Sequence, residues 1–235
     1  FLGSSQCKHL TLNGCLPENA MVNISVKSAI PDPPRTYETI LMNQLRVRGI
    51  VIEENSRRVN RATIRPLYNH ASPTLPKMIQ YTLKNSVNLY CESFVHLLGY
   101  SWFGNTQRSN ALHQIEKYWN NLLPEYCKIK MVDGSGLSRK NRINAEAMCL
   151  ILKEIYRDQQ TCHFDQLMYN ASESGSLAVP LSKQKTLQGK WLLKSGSMQG
   201  IRSYSGYVQF EQSTPYIFSI ILNNYDCSSK EIANK

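Results

Sequence analysis

Lys190-Trp191-Leu192-Leu193-Lys194-Ser195-Gly196-Ser197 opens the part of the chain whose reading fixes the architecture. A short apolar run ends in a lysine, two serines and a glycine. Two further β-like runs follow, 203–210 and 216–223, so the pattern predicts three successive strands (190–195, 203–210 and 216–223) joined by short turns. Sequential strands with short connections are antiparallel. Lys194 stands in an apolar strand segment, where a charge costs free energy unless it is paired or reaches water. A binding site can use such a lysine to hold a carboxylate or steer a proton; a strand end where the lysine reaches solvent is the plainer alternative. Gly196 lets another backbone approach the strand edge closely.

Working outward, the upstream half is helical. Asp32-Pro33-Pro34 starts a helix, with aspartate as cap and proline in the first turn; Ile40, Leu41, Leu45 and Val47 give it an apolar stripe and Gly49 ends it. Residues 50–53 read as a strand, as does the loose alternation of 21–30. Ser72-Pro73 begins a second helix with Leu75, Ile79 and Leu83 on one face. Ser86-Val87-Asn88 interrupts it, and a helix resumes to Leu98 with Gly99 as its stop. Residues 110–123 form another, with Leu112, Ile115, Trp119 and Leu122 in register. Asn144 caps a helix through Tyr156, after the polar loop 133–142. Helices first and an antiparallel meander last predict an α+β or α/β layered domain, with residues 1–45 belonging in part to a different, β-rich unit.

The 235 residues suffice for one sizeable core. An apolar content of 42% with 19% charged residues places the chain among globular proteins and excludes a disordered one. No apolar run approaches the roughly 18 residues of a membrane span. The first residues, without Met or a basic-then-apolar leader, read as a processed or cut start. Net charge is +10, yet the basic residues are scattered and no nucleic-acid motif accompanies them, so no nucleic-acid partner is expected. The seven cysteines show no metal-ligand spacing; no metal or organic cofactor is implied. Cys91 and Cys149 lie in amphipathic runs and read as small core residues, and Cys7 and Cys15 flank a turn-like Asn13-Gly14 and could pair.

Ser86 and Asn88, two positions apart on a loop or first helical turn, can point into one cleft. There a hydroxyl can relay a proton and an amide can hold a substrate carbonyl. Both are also good helix caps, and the triplet alone favours that reading. A Ser-x-Asn on a helical segment followed by Lys-Ser/Thr-Gly on a strand is the pairing used by penicillin-recognising serine acyltransferases. A third stretch, Asp133-Gly134-Ser135-Gly136-Leu137-Ser138-Arg139, lies between the two. Taken with 86–92, 194–201, Leu12-Asn13-Gly14-Cys15-Leu16-Pro17 and Ser174-Gly175-Ser176-Leu177, it closely resembles the D-alanyl-D-alanine carboxypeptidase/endopeptidase family of penicillin-binding protein 4 type (peptidase family S13). The resemblance runs over nearly the whole chain.

That resemblance implies a penicillin-recognising, transpeptidase-like fold and a periplasmic serine DD-peptidase acting on peptidoglycan stem peptides, with β-lactams as acylating inhibitors. By position, Ser86 matches the proton-relay serine, Asn88 the substrate-amide binder and Lys194 the lysine of the third motif. Ser195 and Ser197, with Gly196 between them, would hold the terminal carboxylate, and the Ser197 N–H would form half of an oxyanion hole. Residues 133–139 would shape the cleft floor without a catalytic role.

The family's nucleophilic Ser-x-x-Lys is expected far upstream. The two copies present, Ser5-Gln6-Cys7-Lys8 and Ser182-Lys183-Gln184-Lys185, stand respectively too near the start and in the wrong order. The chain therefore reads as a C-terminal fragment, with 1–45 the end of an inserted domain and 46–235 the main part of the catalytic domain without its first segment. Its sheet is expected to be incomplete at both ends, which favours poor expression or association into a homo-oligomer. A non-catalytic peptidoglycan-binding or scaffold relative, and a β-lactamase or esterase on the same motifs, are the competing readings.

Overall fold

The computed structural model describes residues 30–52, 65–66, 68–105, 107–158, 163–171, 190–210 and 214–226. The expected strand at 21–30 apart from Ile30, the Cys7–Cys15 pair, the segments 12–17 and 174–177, and both Ser-x-x-Lys strings lie outside these residues. The chain divides into two compact units, Phe1–Asn69 and His70–Lys235.

In the first unit one helix is described, α1 (Pro33–Val47). Asp32 caps it as expected, its carboxylate accepting from the Arg35 N–H, and proline occupies the first turn. Its apolar stripe is not buried: Ile40, Leu41 and Val47 are all exposed. Residues 50–52 form no strand and are exposed. A short apolar run makes a strand only when a neighbouring strand pairs with it, and none does so among the described residues.

The second unit runs α2 (Leu75–Asn85), α3 (Asn88–Phe103), α4 (Arg108–Leu122), a single 3-10 turn (Glu125–Cys127), α5 (Ala145–Arg157), the short α6 (Phe164–Leu167) and strands β1 (Lys190–Met198), β2 (Ile201–Gln209) and β3 (Tyr216–Asn223). Thr74 rather than Ser72 is the residue before α2. Gly99 does not stop α3, which continues to a left-handed Gly104. Gly99 is buried against α4, where an added Cβ would lie 3.3 Å from the Ala111 Cβ. Two small residues bring α3 and α4 together around Val95, Ala111 and Leu112. At the end of α4 it is Leu123, not Leu122, that turns inward, to join Cys127, Ile129 and Ala147. Asn144 caps α5 as expected, accepting from the Ala147 N–H at 2.7 Å.

The three strands are antiparallel in the order β1-β2-β3. The first two are longer than the sequence pattern indicated, because Gln199-Gly200 alone makes the turn, with Gly200 at φ 72°. All of Lys194–Ser197 is therefore strand. Gly206 sits where β2 presses on β1: a Cβ there would lie 2.1 Å from the Leu192 carbonyl oxygen. One face of the sheet contributes Leu192, Tyr207 and Ile217 to a core with Leu152, Met168 and Leu83. Tyr207 is fully buried, and its hydroxyl donates to the Leu152 carbonyl at 2.8 Å. Each such large side chain adds about 2 kcal/mol from burial. The result is the expected mixed fold, an antiparallel sheet packed by helices.

Candidate active site

Three segments far apart in sequence meet at one cleft of about 580 Å³. The α2–α3 junction supplies Ser86 and Asn88, the loop after Asp133 supplies Ser135, Gly136 and Leu137, and β1 supplies Lys194 to Met198. All six residues singled out in the sequence, Ser86, Asn88, Lys194, Ser195, Gly196 and Ser197, line it.

The junction is tight. Ser86 ends α2 in the left-handed region (φ 52°, ψ 51°), uncommon for a residue with a side chain. Val87 is extended and Asn88 is the first residue of α3. The capping alternative is realised only through backbone: Ser86 is the C-cap of α2, its N–H donating to the Thr82 carbonyl, whereas Val87 holds the N-cap position of α3 and no side-chain capping bond forms there. The Ser86 hydroxyl instead accepts from the Lys194 ammonium, which also donates to the Ser195 carbonyl at 2.7 Å. Lys194 is half-buried, and burial pushes its pKa down, with only the neighbouring Cys91 sulfur opposing. Cys91 is no core residue but a half-buried part of the cleft wall. Burial, reinforced by Glu92, pushes its thiol up, so it is less acidic than a free cysteine. Cys149 is likewise half-buried.

The loop is held by a network that the sequence did not announce. Asp133 turns inward and accepts from the Gly136 N–H (2.7 Å), the Ser138 N–H (2.5 Å) and the Asn141 side chain (2.9 Å). Glu92, one helical turn beyond Asn88, accepts from the N–H groups of Gly134 and Ser135, both at 3.0 Å, and pairs with Arg108 at 2.9 Å. Burial alone would raise the Glu92 pKa. The Ser135 donors and the Arg108 charge outweigh it and hold the carboxyl below its ordinary value. Gly134 must be glycine, since a Cβ would lie 2.6 Å from a Val95 methyl and 2.8 Å from the Cys91 carbonyl oxygen. Arg139 then donates to the Gln199 carbonyl at 3.0 Å, tying the loop to the β1–β2 turn.

Along β1 the outer edge has two regimes. Near Trp191 it is covered by Asn170 and Ala171, whose N–H donates to the Trp191 carbonyl at 2.8 Å. Beside Lys194–Ser197 no further strand pairs with it among the described residues. On the inner side, a Cβ at Gly196 would meet the Ser203 hydroxyl at 2.5 Å. The site thus offers hydroxyls, an amide and a cation beside an open strand edge. Among the described residues no cluster of three or more metal-ligating side chains occurs, and no helix is long and apolar enough to cross a membrane.

Residues 4–235 match the model of the "D-Ala-D-Ala carboxypeptidase 3 (S13) family". The chain is similar to "Penicillin-sensitive carboxypeptidase A" of Dictyostelium discoideum, 28% identical over 245 residues, covering 99% of this chain and 46% of that protein. It is also similar to "D-alanyl-D-alanine carboxypeptidase DacB" of Haemophilus influenzae, 22% identical over 185 residues, covering 72% of this chain and 36% of that one. The fold matches a crystal structure of penicillin binding protein 4 (dacB) from H. influenzae complexed with a β-lactam, with TM-score 0.65 and 20% identity over 86% of this chain and 47% of that one. The chain spans about half the length, or less, of the relatives it matches. With a family model that takes in all but its first three residues, the chain belongs to the D-Ala-D-Ala carboxypeptidase 3 (S13) family.

Proposed function

We propose that the cleft is the larger part of the active site of a serine-type D-alanyl-D-alanine carboxypeptidase/endopeptidase that acts on peptidoglycan stem peptides and is acylated by β-lactams. The observation that carries this is the convergence of Ser86, Asn88 and Lys194 with Ser195–Ser197 on one cleft, with the Lys194 ammonium on the Ser86 hydroxyl. Ser86 relays the proton that the nucleophile releases. Asn88 holds the substrate amide, and Lys194 sets the potential that keeps the relay poised. The substrate lies along the open edge of β1, adding its backbone as a strand. Ser195 and Ser197 receive the terminal carboxylate, and the Ser197 N–H stabilises the developing oxyanion.

Both copies of Ser-x-x-Lys lie outside the described residues; by their position and order in the sequence, one too near the start and one between the other two motifs, this reading puts the nucleophile in a segment not contained in this chain. Residues 1–45 are then the end of an inserted domain and 46–235 the main part of the catalytic one. Periplasmic residence follows from the substrate. The sequence order of the two Ser-x-x-Lys strings, neither in the family's position, also favours a second reading, a peptidoglycan-binding relative that has lost catalysis.

Intact mass after incubation with benzylpenicillin, with a thermal melt as folding control, separates these. The folded chain is expected to carry no adduct, and a longer form that includes an upstream Ser-x-x-Lys is expected to carry one. An adduct mapped to Ser5 or Ser182 overturns the external nucleophile. No adduct on the folded longer form favours the non-catalytic binder.

A further inference from the structure

We propose that Arg202 positions the Ser197 hydroxyl and makes this end of the cleft selective for peptides that end in a free carboxylate. The assignment rests on the stem-peptide reading above. Ser197 on β1 stands directly opposite Arg202 on β2, and Ser195 opposite Tyr204, so the four side chains share one face of the sheet. Arg202 donates from Nη1 to the Ser197 Oγ at 3.2 Å. A serine hydroxyl has one proton and two lone pairs. With a lone pair taken by the guanidinium, the Ser197 proton is left to point away from it, outward to a ligand oxygen.

The guanidinium is fixed as well as close. Its Nε donates to the Tyr204 hydroxyl at 2.8 Å, and its carbon lies 5.4 Å from the centroid of the Tyr204 ring. Among the described residues no carboxylate pairs with it. Its charge bears on the cleft through the Nη1–Ser197 hydrogen bond. Lys194 cannot substitute: it projects from the opposite face of β1, where it is engaged by Ser86 and the Ser195 carbonyl.

The test is calorimetric binding of diacetyl-L-lysyl-D-alanyl-D-alanine and its C-terminal amide to the folded chain, which needs no nucleophile. The wild type is expected to prefer the acid. Arg202→Gln should lose about tenfold on the acid and little on the amide, the scale of one charge-assisted hydrogen bond. Arg202→Lys, keeping the charge, should keep part of the preference. Tyr204→Phe, which frees the guanidinium without removing it, should weaken acid binding by about twofold to threefold and provides a milder variant should Arg202→Gln fail to fold. An acid preference that survives both Arg202→Gln and Tyr204→Phe, or a wild type that binds acid and amide alike, overturns the Arg202 assignment alone. If the wild type binds neither peptide, the stem-peptide reading falls, and this assignment with it.

Discussion

Lys194 and Glu92 shape the cleft from opposite electrostatic positions, and their pH behaviour should differ accordingly. Burial lowers the Lys194 pKa, so the folded state disfavours its ammonium relative to the unfolded chain. The penalty is present in full below the folded pKa and disappears as pH rises from there towards the unfolded value. Lys194→Met removes it, and the expected outcome near neutral pH is a melting temperature raised by a few degrees with peptide binding lost, read by calorimetry of both. For Glu92 the folded pKa is depressed. Its contribution is present above the unfolded carboxylate value and is lost as pH falls through the folded one. Glu92→Gln should therefore flatten the acid limb of a plot of melting temperature against pH. That Ser86, Asn88 and Lys194–Ser197 share one cleft was legible in sequence, because Ser-x-Asn followed by Lys-Ser-Gly is a recognisable pairing of residue types and order. Glu92, Arg108 and Asn141 were not, since each serves backbone groups distant in sequence and resembles any charge or amide on a solvated helix or loop.

At the scale of elements, the loop from Asp133 to Arg142 packs tightly against α3 at Gly134, where no larger residue fits. Gly134→Ala would drive a methyl into Val95 and the Cys91 carbonyl; a loss of about 2–3 kcal/mol is expected in denaturant unfolding, with weaker ligand binding from the displaced rim. Asn144→Ala removes the α5 cap and the side-chain amide's hydrogen bond to the Tyr126 carbonyl (3.1 Å), and should cost about 1–2 kcal/mol with binding intact. The α5 start was readable because the cap is local. The end of α3 was not: Gly99 has the composition of a helix stop, but a neighbouring helix needs its small size and overrides that signal. The full length of β1 was hidden for a similar reason. Gly-Ser-Met-Gln-Gly has the composition of a loop, yet Gln199-Gly200 suffices to reverse the chain, and cross-strand pairing carries the strand through the rest.

For the molecule as a whole, apolar surface is left in view. Leu89, Leu97, Tyr100, Trp102 and Phe103 on α3 are exposed, as are Ile220 and Leu222 on β3. A helix apolar on most sides is ordinarily a buried one, and contiguous exposed apolar patches attract partners. The chain on its own is expected to elute above monomer mass in sizing chromatography, increasingly so with concentration; a monomer with a cooperative melt would contradict this. The mixed layering of helices and antiparallel strands was readable from hydrophobic period, whereas the uncovered faces depend on neighbours that periodicity does not name. The open stretch of β1 next to Lys194–Ser197 joins the two themes. No strand pairs with that edge among the described residues, and backbone amides and carbonyls do not distinguish a stem peptide from the edge of another copy of the chain. Recognition and aggregation then compete for the same few atoms, and a cognate peptide should act as a solubiliser, its occupancy setting how much protein stays dispersed.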